Sequence, residues 1–412
     1  MTEGRLGEPS SRSPSLAVRL VGGVMALLIF YLVLVGANLA LVEAMKQFAK
    51  SAVAPEAKAA ADARRKQVDP SLIRAAEAEG FLPTLLPQAL DKPWRYPELT
   101  DAARAAGLPP LGGHPGADTY FCNEGYGLIR YRSDRFGLRN DDSLWDRLGE
   151  VRAVAIGDSF IHGACVEAGD TPTARLSAGG LTTLNLGVAA NHPVHYRFAA
   201  RAFLPAIRPQ HALVFFYAND NLADDDLARA EESIYAAMLA ADAPLSAYFG
   251  GAPGGTLAPS AAYRAAMARY REIAAVRDGK ANKSFFAEVS KREYWTLRQT
   301  RALLAGLLGG GGGLAGIDRA AIDEVRALCA SHGCAPLVVY IPNNPAAAPD
   351  PRAHGYRDEL AAYTATTGVP FLDASAKVEA LGRDAFALSG GHLSPSGYAA
   401  LAEAVLQKLD GG

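Results

Sequence analysis

The sequence predicts an α/β fold of the flavodoxin-like type, a three-layer α/β/α arrangement with helices on both faces of a parallel sheet. Four short apolar runs carry this prediction: VRAVAI at 151–156, LTTLNL at 181–186, ALVFFY at 212–217 and PLVVYI at 336–341. Continuous apolar runs of this length are typical of strands that are buried on both faces. Helix-compatible stretches separate the runs, and a helical segment follows at 399–409. Alternating strands and helices indicate a parallel sheet.

The composition narrows the class of protein. The chain has 412 residues, and half of them are hydrophobic, which is enough to bury a substantial core. Because 41 basic and 43 acidic residues give a formal net charge of −2, we expect no basic face and no nucleic-acid partner. The four cysteines include no CxxC pair, which argues against a zinc knuckle. A globular enzyme or binding domain remains.

The N-terminal region predicts a membrane anchor behind a polar tail at residues 1–15. Between Arg19 and Glu43 no residue is charged, and a helix of that length covers a hydrocarbon core of roughly 30 Å. A cleavable signal peptide is the alternative, but its apolar region normally has about 7–15 residues. We therefore expect an uncleaved transmembrane signal anchor over 16–43. Basic residues lie on both sides of it, so charge counting gives no orientation.

We expect a stalk and then a globular domain after the anchor. Residues 44–118 begin with an Ala-, Lys-, Arg- and Glu-rich stretch and continue with seven prolines between positions 83 and 115, which indicates a helical and then irregular stalk. Residues 119–412 form the predicted α/β domain. Long Ala-rich segments between about 222 and 316 interrupt the strand pattern, and we interpret them as a helical insertion.

Four sequence blocks follow the predicted strands in order. Ser159 lies in GDSF after the first strand, NLGVAAN at 185–191 ends the second, Asn219 follows the third, and His392 lies in GHLSPSGY before the last helix. Reactive groups collect at the carboxyl edge of a parallel sheet, where helix N-termini favour negative charge. Singly, each block has an ordinary interpretation as a cap, a turn or an exposed histidine. Together they indicate nucleophilic catalysis.

With these blocks the chain resembles the SGNH (GDSL-type) hydrolase family, named for catalytic Ser, Gly, Asn and His. The resemblance covers roughly residues 120–220 and 318–410, and it implies the SGNH hydrolase fold. The run YRSDRFGLRN at 131–140, called the lead-in segment below, resembles a membrane-anchored bacterial branch of the family. The resemblance implies that Ser159 is the nucleophile and that His392 is the general base and acid.

The resemblance also implies an oxyanion hole, formed by the backbone amides of Ser159 and Ala190 and by the side chain of Asn219. The sequence departs from the family at Ala190, where the family has glycine. A backbone donor survives this change if φ is negative. The second departure is Ser389, three residues before His392, where the family has an acid. We therefore expect the imidazole to be oriented by Ser389, by a backbone carbonyl or by Asp384, and loss of the acid can cost several powers of ten in rate.

The cysteines predict one disulfide. Cys122 lies just before the lead-in segment and Cys165 lies a few residues after Ser159, so one bridge could tie the entry segment to the active-site loop. An exported compartment would permit it. The alternative is that both are small buried hydrophobes. Cys329 and Cys334 are a poorer pair, because they occupy the end of a helix and the start of a strand.

A further pair of histidines, His192 and His195, has HxxH spacing. The sequence shows no third ligand for a metal ion, and the pair adjoins the second block. We expect these side chains to contact substrate or to lie on the surface, and we predict neither a metal site nor a cofactor.

The resemblance implies a membrane-anchored serine esterase or O-acyltransferase that works through an acyl-serine intermediate. It implies an acylated carbohydrate or exopolysaccharide as the ester substrate, and an acyl-transfer or polysaccharide export protein of the membrane as a partner. The expected location is the bacterial inner membrane, with the catalytic domain in the periplasm. The competing hypothesis is a catalytically weak carbohydrate-binding or assembly module, which Ser389 and Ala190 favour.

Overall fold

The computed structural model describes residues 24–37, 40, 70–93, 96–222, 224–250, 256–277, 314–344 and 355–411. The chain divides into two compact units, Met1–Ala54 with Lys283–Gly310 and Pro55–Asn282 with Gly311–Gly412. In the first unit, residues 24–37 are helical. None of the helices described has both the length and the apolar character for crossing a membrane. The predicted tail and parts of the predicted anchor and stalk lie outside the described residues.

The second unit is organised around a five-stranded parallel sheet. The described strands, in chain order, are β1 (Leu82–Pro83), β2 (Asp118–Tyr120), β3 (Arg130–Arg132), β4 (Ala153–Ile156), β5 (Thr183–Asn185), β6 (His211–Phe216), β7 (Phe249–Gly250), β8 (Ala258–Pro259), β9 (Ala335–Tyr340) and β10 (Phe371–Asp373). The central sheet has the order β10-β9-β6-β4-β5, and every pairing in it is parallel. From the β5 edge this order is 2-1-3-4-5, which is the flavodoxin-like arrangement.

The predicted α/β class and parallel sheet are therefore confirmed, with one strand more than the sequence predicted. The register aligns the strand ends that matter for the site: Ala155 of β4 pairs with Asn185 of β5, and Ile156 pairs with Val214 of β6. The chain reverses its direction of sheet growth between β4 and β6, and ligands of such sheets bind at this switch point.

Helices cover both faces of the sheet. The described helices of the second unit are α1 (Pro70–Ala78), α2 (Pro97–Ala106), α3 (Ser159–His162), α4 (Pro172–Ala178), α5 (Pro193–Ile207), α6 (Asp224–Glu231), α7 (Ile234–Ala240), α8 (Ala261–Arg277), α9 (Gly316–His332), α10 (Tyr356–Thr367), α11 (Ser375–Glu379) and α12 (Pro395–Asp410). Alternate strand residues enter two separate cores. Val154 and Val214 pack on the side of α5 and α9, whereas Ala155 and Leu213 pack on the side of α4 and α12.

The segment predicted as a stalk packs onto the domain instead. Its described part holds α1, α2 and the two strands β1 and β2. Leu90, Leu99, Leu108 and Leu111 are buried within the main core. The prolines that suggested an irregular stalk are compatible with this packing, because one of them begins α2 at its first position, where a proline costs no hydrogen bond.

Four buried tyrosines join the region of the predicted insertion to this segment. The hydroxyls of Tyr270, Tyr248 and Tyr235 donate to the carbonyls of residues 108, 109 and 110, at 3.0, 3.0 and 2.9 Å. The Tyr263 hydroxyl accepts from the amide of residue 111 at 2.9 Å. Residues 109 and 110 are prolines without amide hydrogens. The tyrosines thus satisfy buried backbone groups of a segment whose two prolines interrupt a regular hydrogen-bond ladder.

The lead-in segment is organised by the buried carboxylate of Asp134. Its Oδ1 accepts from the amides of Phe136 and Leu138, and its Oδ2 accepts from Asn140 Nδ2 and Trp145 Nε1, all at 2.8 Å. Burial raises the pKa of Asp134 to about 6, against the opposing effect of these hydrogen bonds. All four neighbours donate hydrogen bonds to it, so the group serves as an acceptor in its carboxylate form.

We predict that Asp134→Asn destabilises the fold by about 3 kcal/mol, because an amide offers two hydrogens where the site needs only acceptors. Chemical denaturation at pH 7.5 measures the change. The matched control is Asp118→Asn, whose exposed ion pair with Arg132 should contribute at most about 1 kcal/mol. Equal effects of the two variants would contradict the role of Asp134.

Candidate active site

Ser159, His392 and Glu124 form a hydrogen-bonded chain at the carboxyl edge of the sheet. Ser159 is the first residue of α3, just beyond β4. The Nε2 of His392 lies 2.9 Å from Ser159 Oγ, and its Nδ1 lies 2.9 Å from Glu124 Oε1. A carboxylate on Nδ1 fixes the tautomer whose Nε2 accepts the serine proton. This is the arrangement of an activated serine nucleophile.

Glu124 is held in its charged form by the loop of His392. The backbone amides of His392 and Gly391 also donate to its carboxylate, at 3.2 and 3.4 Å. Burial raises the pKa of Glu124, but the hydrogen bonds and charge of His392 outweigh burial, and the pKa lies below its ordinary value. The carboxylate can therefore stabilise an imidazolium during reaction.

The structure corrects the predicted orientation of the imidazole. Neither Ser389 nor Asp384 takes the Nδ1 proton of His392. The amide of Ser389 donates to the Glu124 carbonyl at 3.2 Å, and the carbonyl of Asp384 accepts from Ser394 Oγ. Gly390 makes room for the acid, because a Cβ at this position would collide with the Glu124 carboxyl group.

Sequence reasoning missed Glu124 because this acid lies 268 positions before the histidine. One signal could have found it. The bridge expected between Cys122 and Cys165 brings residue 124 to the neighbourhood of Ser159, and Glu124 is the first acid after Cys122.

Two disulfides occur in the described residues. Cys122 and Cys165 are joined, with their Cα atoms 5.1 Å apart, which ties the loop of Glu124 to the segment after the nucleophile. Cys329 and Cys334 are also joined, although the sequence suggested that their side chains diverge. The reason is Gly333, which ends α9 with φ +78° and returns the chain toward Cys329.

The side chain of Asn219 lies beside the nucleophile. Its Nδ2 donates to Asp158 Oδ2 at 3.0 Å, and Asp158 directly precedes Ser159. The other carboxylate oxygen of Asp158 accepts from the amide of Phe160 at 2.9 Å and caps α3. Burial raises the pKa of Asp158, against the hydrogen bond from Asn219. The role of Asn219 as an oxyanion donor stays a prediction.

Ala190 does not meet the condition of a negative φ under which we expected the backbone donor to survive the change from glycine. It adopts φ +64°, in the left-handed region that the family's glycine enters without strain. For an L-residue this conformation costs roughly 1–2 kcal/mol. Such strain persists only where the surroundings fix the backbone. The role of the Ala190 amide as an oxyanion donor likewise stays a prediction.

Side chains of Asn140 and His162 hold the backbone that leads to Ala190. Asn140 of the lead-in segment pairs with both backbone groups of Asn185, at 2.7 and 2.9 Å. The amide of Ala189 donates to Nδ1 of His162 at 3.1 Å. Nε2 of His162 therefore carries the hydrogen and donates to the Tyr131 hydroxyl at 2.9 Å. Burial lowers the pKa of His162 to about 3, so this ring is a neutral structural acceptor.

His192 and His195 lie inside the protein, which corrects the expectation of a surface position. Asp91, from the segment predicted as a stalk, supplies the third group that the sequence did not reveal. Its Oδ2 lies 2.8 Å from His192 Nε2 and 3.7 Å from His195 Nε2. These three side chains could hold a metal ion. Glu124 and His392, which with Ser159 form the catalytic triad, make a second such group with Cys165. The sulfur of Cys165 is not free to bind a metal ion, because it is bonded to Cys122.

A cavity of about 340 Å³ adjoins the site. Its lining includes both residues predicted for the oxyanion hole, Ala190 and Asn219, together with Asp91 and His192. A substrate in this cavity would therefore contact polar groups from the predicted stalk as well as from the sheet edge.

The sequence matches no protein-family model, and no curated protein matches it. Among solved structures, a member of the lipolytic protein G-D-S-L family from Veillonella parvula DSM 2008 is 12% identical, with a TM-score of 0.33 and coverage of 62% of this chain and 96% of that one. A candidate lipolytic protein of the same family from Desulfitobacterium hafniense DCB-2 has 12% identity, a TM-score of 0.33 and coverage of 62% and 97%.

A candidate acylhydrolase from Bacteroides fragilis NCTC 9343 is 13% identical, with a TM-score of 0.34 and coverage of 66% of this chain and 97% of that one. Two of these three descriptions carry the family name that the sequence resemblance suggested. At these scores the likeness adds no argument about chemistry, which rests on the side chains described above.

We predict that a fluorophosphonate probe labels Ser159, and that Ser159→Ala abolishes the labelling. Glu124→Gln should slow labelling by up to about 10⁴-fold, because an amide at this position no longer favours the reactive tautomer. Mass spectrometry of the labelled peptide and the labelling rate are measured. Glu79→Gln, at an exposed ion pair with Arg130, is the control. An unchanged rate for Glu124→Gln would contradict the assignment.

Proposed function

We propose that this protein is a serine esterase or O-acyltransferase that works through an acyl-serine intermediate. The observation that carries the proposal is the hydrogen-bonded chain from Glu124 through His392 to Ser159. Asn219, whose side chain bonds to the residue before Ser159, also lines the neighbouring cavity, and its amide can donate hydrogen bonds to an oxyanion.

The residues present suffice for a two-step acyl transfer. Nε2 of His392 takes the proton of Ser159 as Oγ forms a bond to the acyl carbonyl carbon. The backbone amides of Ser159 and Ala190 and the side-chain amide of Asn219 stabilise the resulting oxyanion. The C–O bond to the alcohol then breaks, and the imidazolium returns the proton to the leaving oxygen. In the second step, water or an acceptor hydroxyl gives a proton to His392 and attacks the acyl carbon. The bond from this carbon to Ser159 Oγ then breaks, and the imidazolium returns the proton to Oγ.

Hydrolysis and transfer differ only in the acceptor of the second step. We propose an acylated carbohydrate or exopolysaccharide as the substrate, on the basis of the family resemblance and of a cavity lined by polar side chains such as Asp91, His192 and Asn219. Two residues, Ser389 and Ala190, favoured the alternative of an inactive carbohydrate-binding module. Ser389 no longer favours it, because Glu124 replaces the acid that is missing at that position. The strained backbone at Ala190 still favours it.

We further propose that residues 16–43 anchor the chain in the bacterial inner membrane and that the catalytic domain lies in the periplasm. Two disulfides support an oxidising compartment, because disulfides are rare in the cytosol. A membrane protein of acyl transfer or polysaccharide export is the partner that the resemblance suggests.

We predict that Ser159→Ala and His392→Ala abolish the cleavage of an activated acetyl ester without lowering the melting temperature. Asn219→Ala should lower kcat by about 10²–10³-fold with little change in KM, because one oxyanion donor is lost. Steady-state kinetics on the purified chain measure all three. Wild-type turnover in either triad variant would refute the nucleophile–base pair, and a change in KM alone would place Asn219 in substrate binding.

The compartment can be tested with fusions at the C-terminus. We expect an alkaline phosphatase fusion to be active, because this reporter folds in the periplasm, and a cytoplasmic reporter to be silent. Peptide mapping without reductant should recover Cys122 linked to Cys165 from the same cells. Activity of the cytoplasmic reporter alone would exclude the proposed topology.

A further inference from the structure

We propose that Asp91, His192 and His195 form a binding site for a divalent transition metal of the Zn²⁺ type, with an open coordination position toward the cavity that Ala190 and Asn219 also line. None of these residues belongs to the Ser159–His392–Glu124 triad. The site joins a segment that precedes the central sheet to the helix that follows the second sequence block.

The distances between the candidate ligand atoms suit a tetrahedral ion. Asp91 Oδ2 lies 2.8 Å from His192 Nε2 and 3.7 Å from His195 Nε2, and the three groups present ligand atoms within 4.8 Å of one another. Ligands about 2.0–2.2 Å from a tetrahedral zinc ion lie roughly 3.3 Å apart. The two measured separations bracket that value, so small side-chain shifts would complete the site.

The burial of these side chains points to a missing ligand. Asp91, His192 and His195 are 5%, 5% and 3% exposed. Asp91 Oδ1, His192 Nδ1 and His195 Nε2 are buried and find no hydrogen-bond partner among the described residues. Unsatisfied polar atoms in the interior are costly. A metal ion bound by His195 Nε2 and by the Asp91 carboxylate removes part of this cost.

The backbone fixes the ligands in position. His192 is the N-cap of α5 and His195 lies in its first turn, three residues on, a spacing that places two side chains on one helix face. Asp91 ends a 3-10 turn at Pro87–Asp91. Three protein ligands leave one position open, which is typical of catalytic rather than structural zinc sites. Asp91 and His192 line the cavity, so this position faces water or an oxygen of the substrate.

The metal-free alternative is a purely structural cluster. In it His192 Nε2–H donates to Asp91, and the backbone amide of His192 donates to His195 Nδ1 at 3.4 Å. This cluster would leave the His195 Nε2 hydrogen unpaired. It predicts that transition metals bind no better to the wild type than to variants of the three residues.

The test uses the full chain in detergent, without a polyhistidine tag, after removal of metals by a chelator. We expect Co²⁺ to bind at one ion per chain and to give the visible absorption of a tetrahedral site, and Zn²⁺ to displace it and raise the melting temperature. His195→Asn and Asp91→Asn should each weaken Zn²⁺ binding by more than about 100-fold, beyond the 10–100-fold typical of outer-shell partners. His332→Asn, at a half-exposed histidine, should bind like the wild type.

Absence of the Co²⁺ absorption in the wild type, or Zn²⁺ binding that is equal in the wild type and in Asp91→Asn, would overturn the metal site. Metal-free melting curves show whether each variant is folded, and Asp91→Asn preserves the shape of the side chain if His195→Asn does not fold. None of these readouts depends on ester cleavage. Failure of the metal site and failure of the proposed esterase function are therefore distinguishable.

Discussion

The hydrogen bond between Glu124 and Nδ1 of His392 is the interaction on which the active site depends. It joins two loops that are far apart in sequence, and it gives the imidazole both its orientation and its tautomer. Elements that precede the central sheet hold Glu124 in place for this contact. The strands β2 and β3 flank the loop of Glu124, and the bridge at Cys122 fastens that loop beside the nucleophile. An acid from outside the sheet thus replaces the one absent before the histidine.

Buried polar side chains play the same positioning role on the other side of the nucleophile. Asp134 organises the lead-in segment, Asn140 supplies a strand-like partner to Asn185, and His162 accepts from the amide before Ala190. Each is satisfied by several directional bonds, which makes a buried polar network specific rather than merely costly. The left-handed backbone at Ala190 is held within this network, so its strain is compatible with a defined structure.

Local patterns could predict the sheet and two of the three triad members, because strand ends fix where Ser159 and His392 lie. The four apolar runs match β4, β5, β6 and β9 within a few residues. The short edge strand β10 is only partly buried and left no clear pattern. The packing of residues 70–118 in the core was not predicted, because their prolines indicated an irregular stalk. The partners of Glu124 and Asp91 lie 268 and 101 positions away. Only the expected Cys122–Cys165 bridge pointed to Glu124, and no local pattern pointed to Asp91.

The Cys122–Cys165 bridge has a consequence for when the chain can become reactive. A newly made chain in a reducing cytosol keeps both thiols free, so the loop of Glu124 lacks its covalent attachment and the serine lacks a firmly placed partner for its base. Oxidation after export would supply that attachment. Maturation of the nucleophile would then be coupled to secretion, and acyl esters inside the cell would be protected from premature attack.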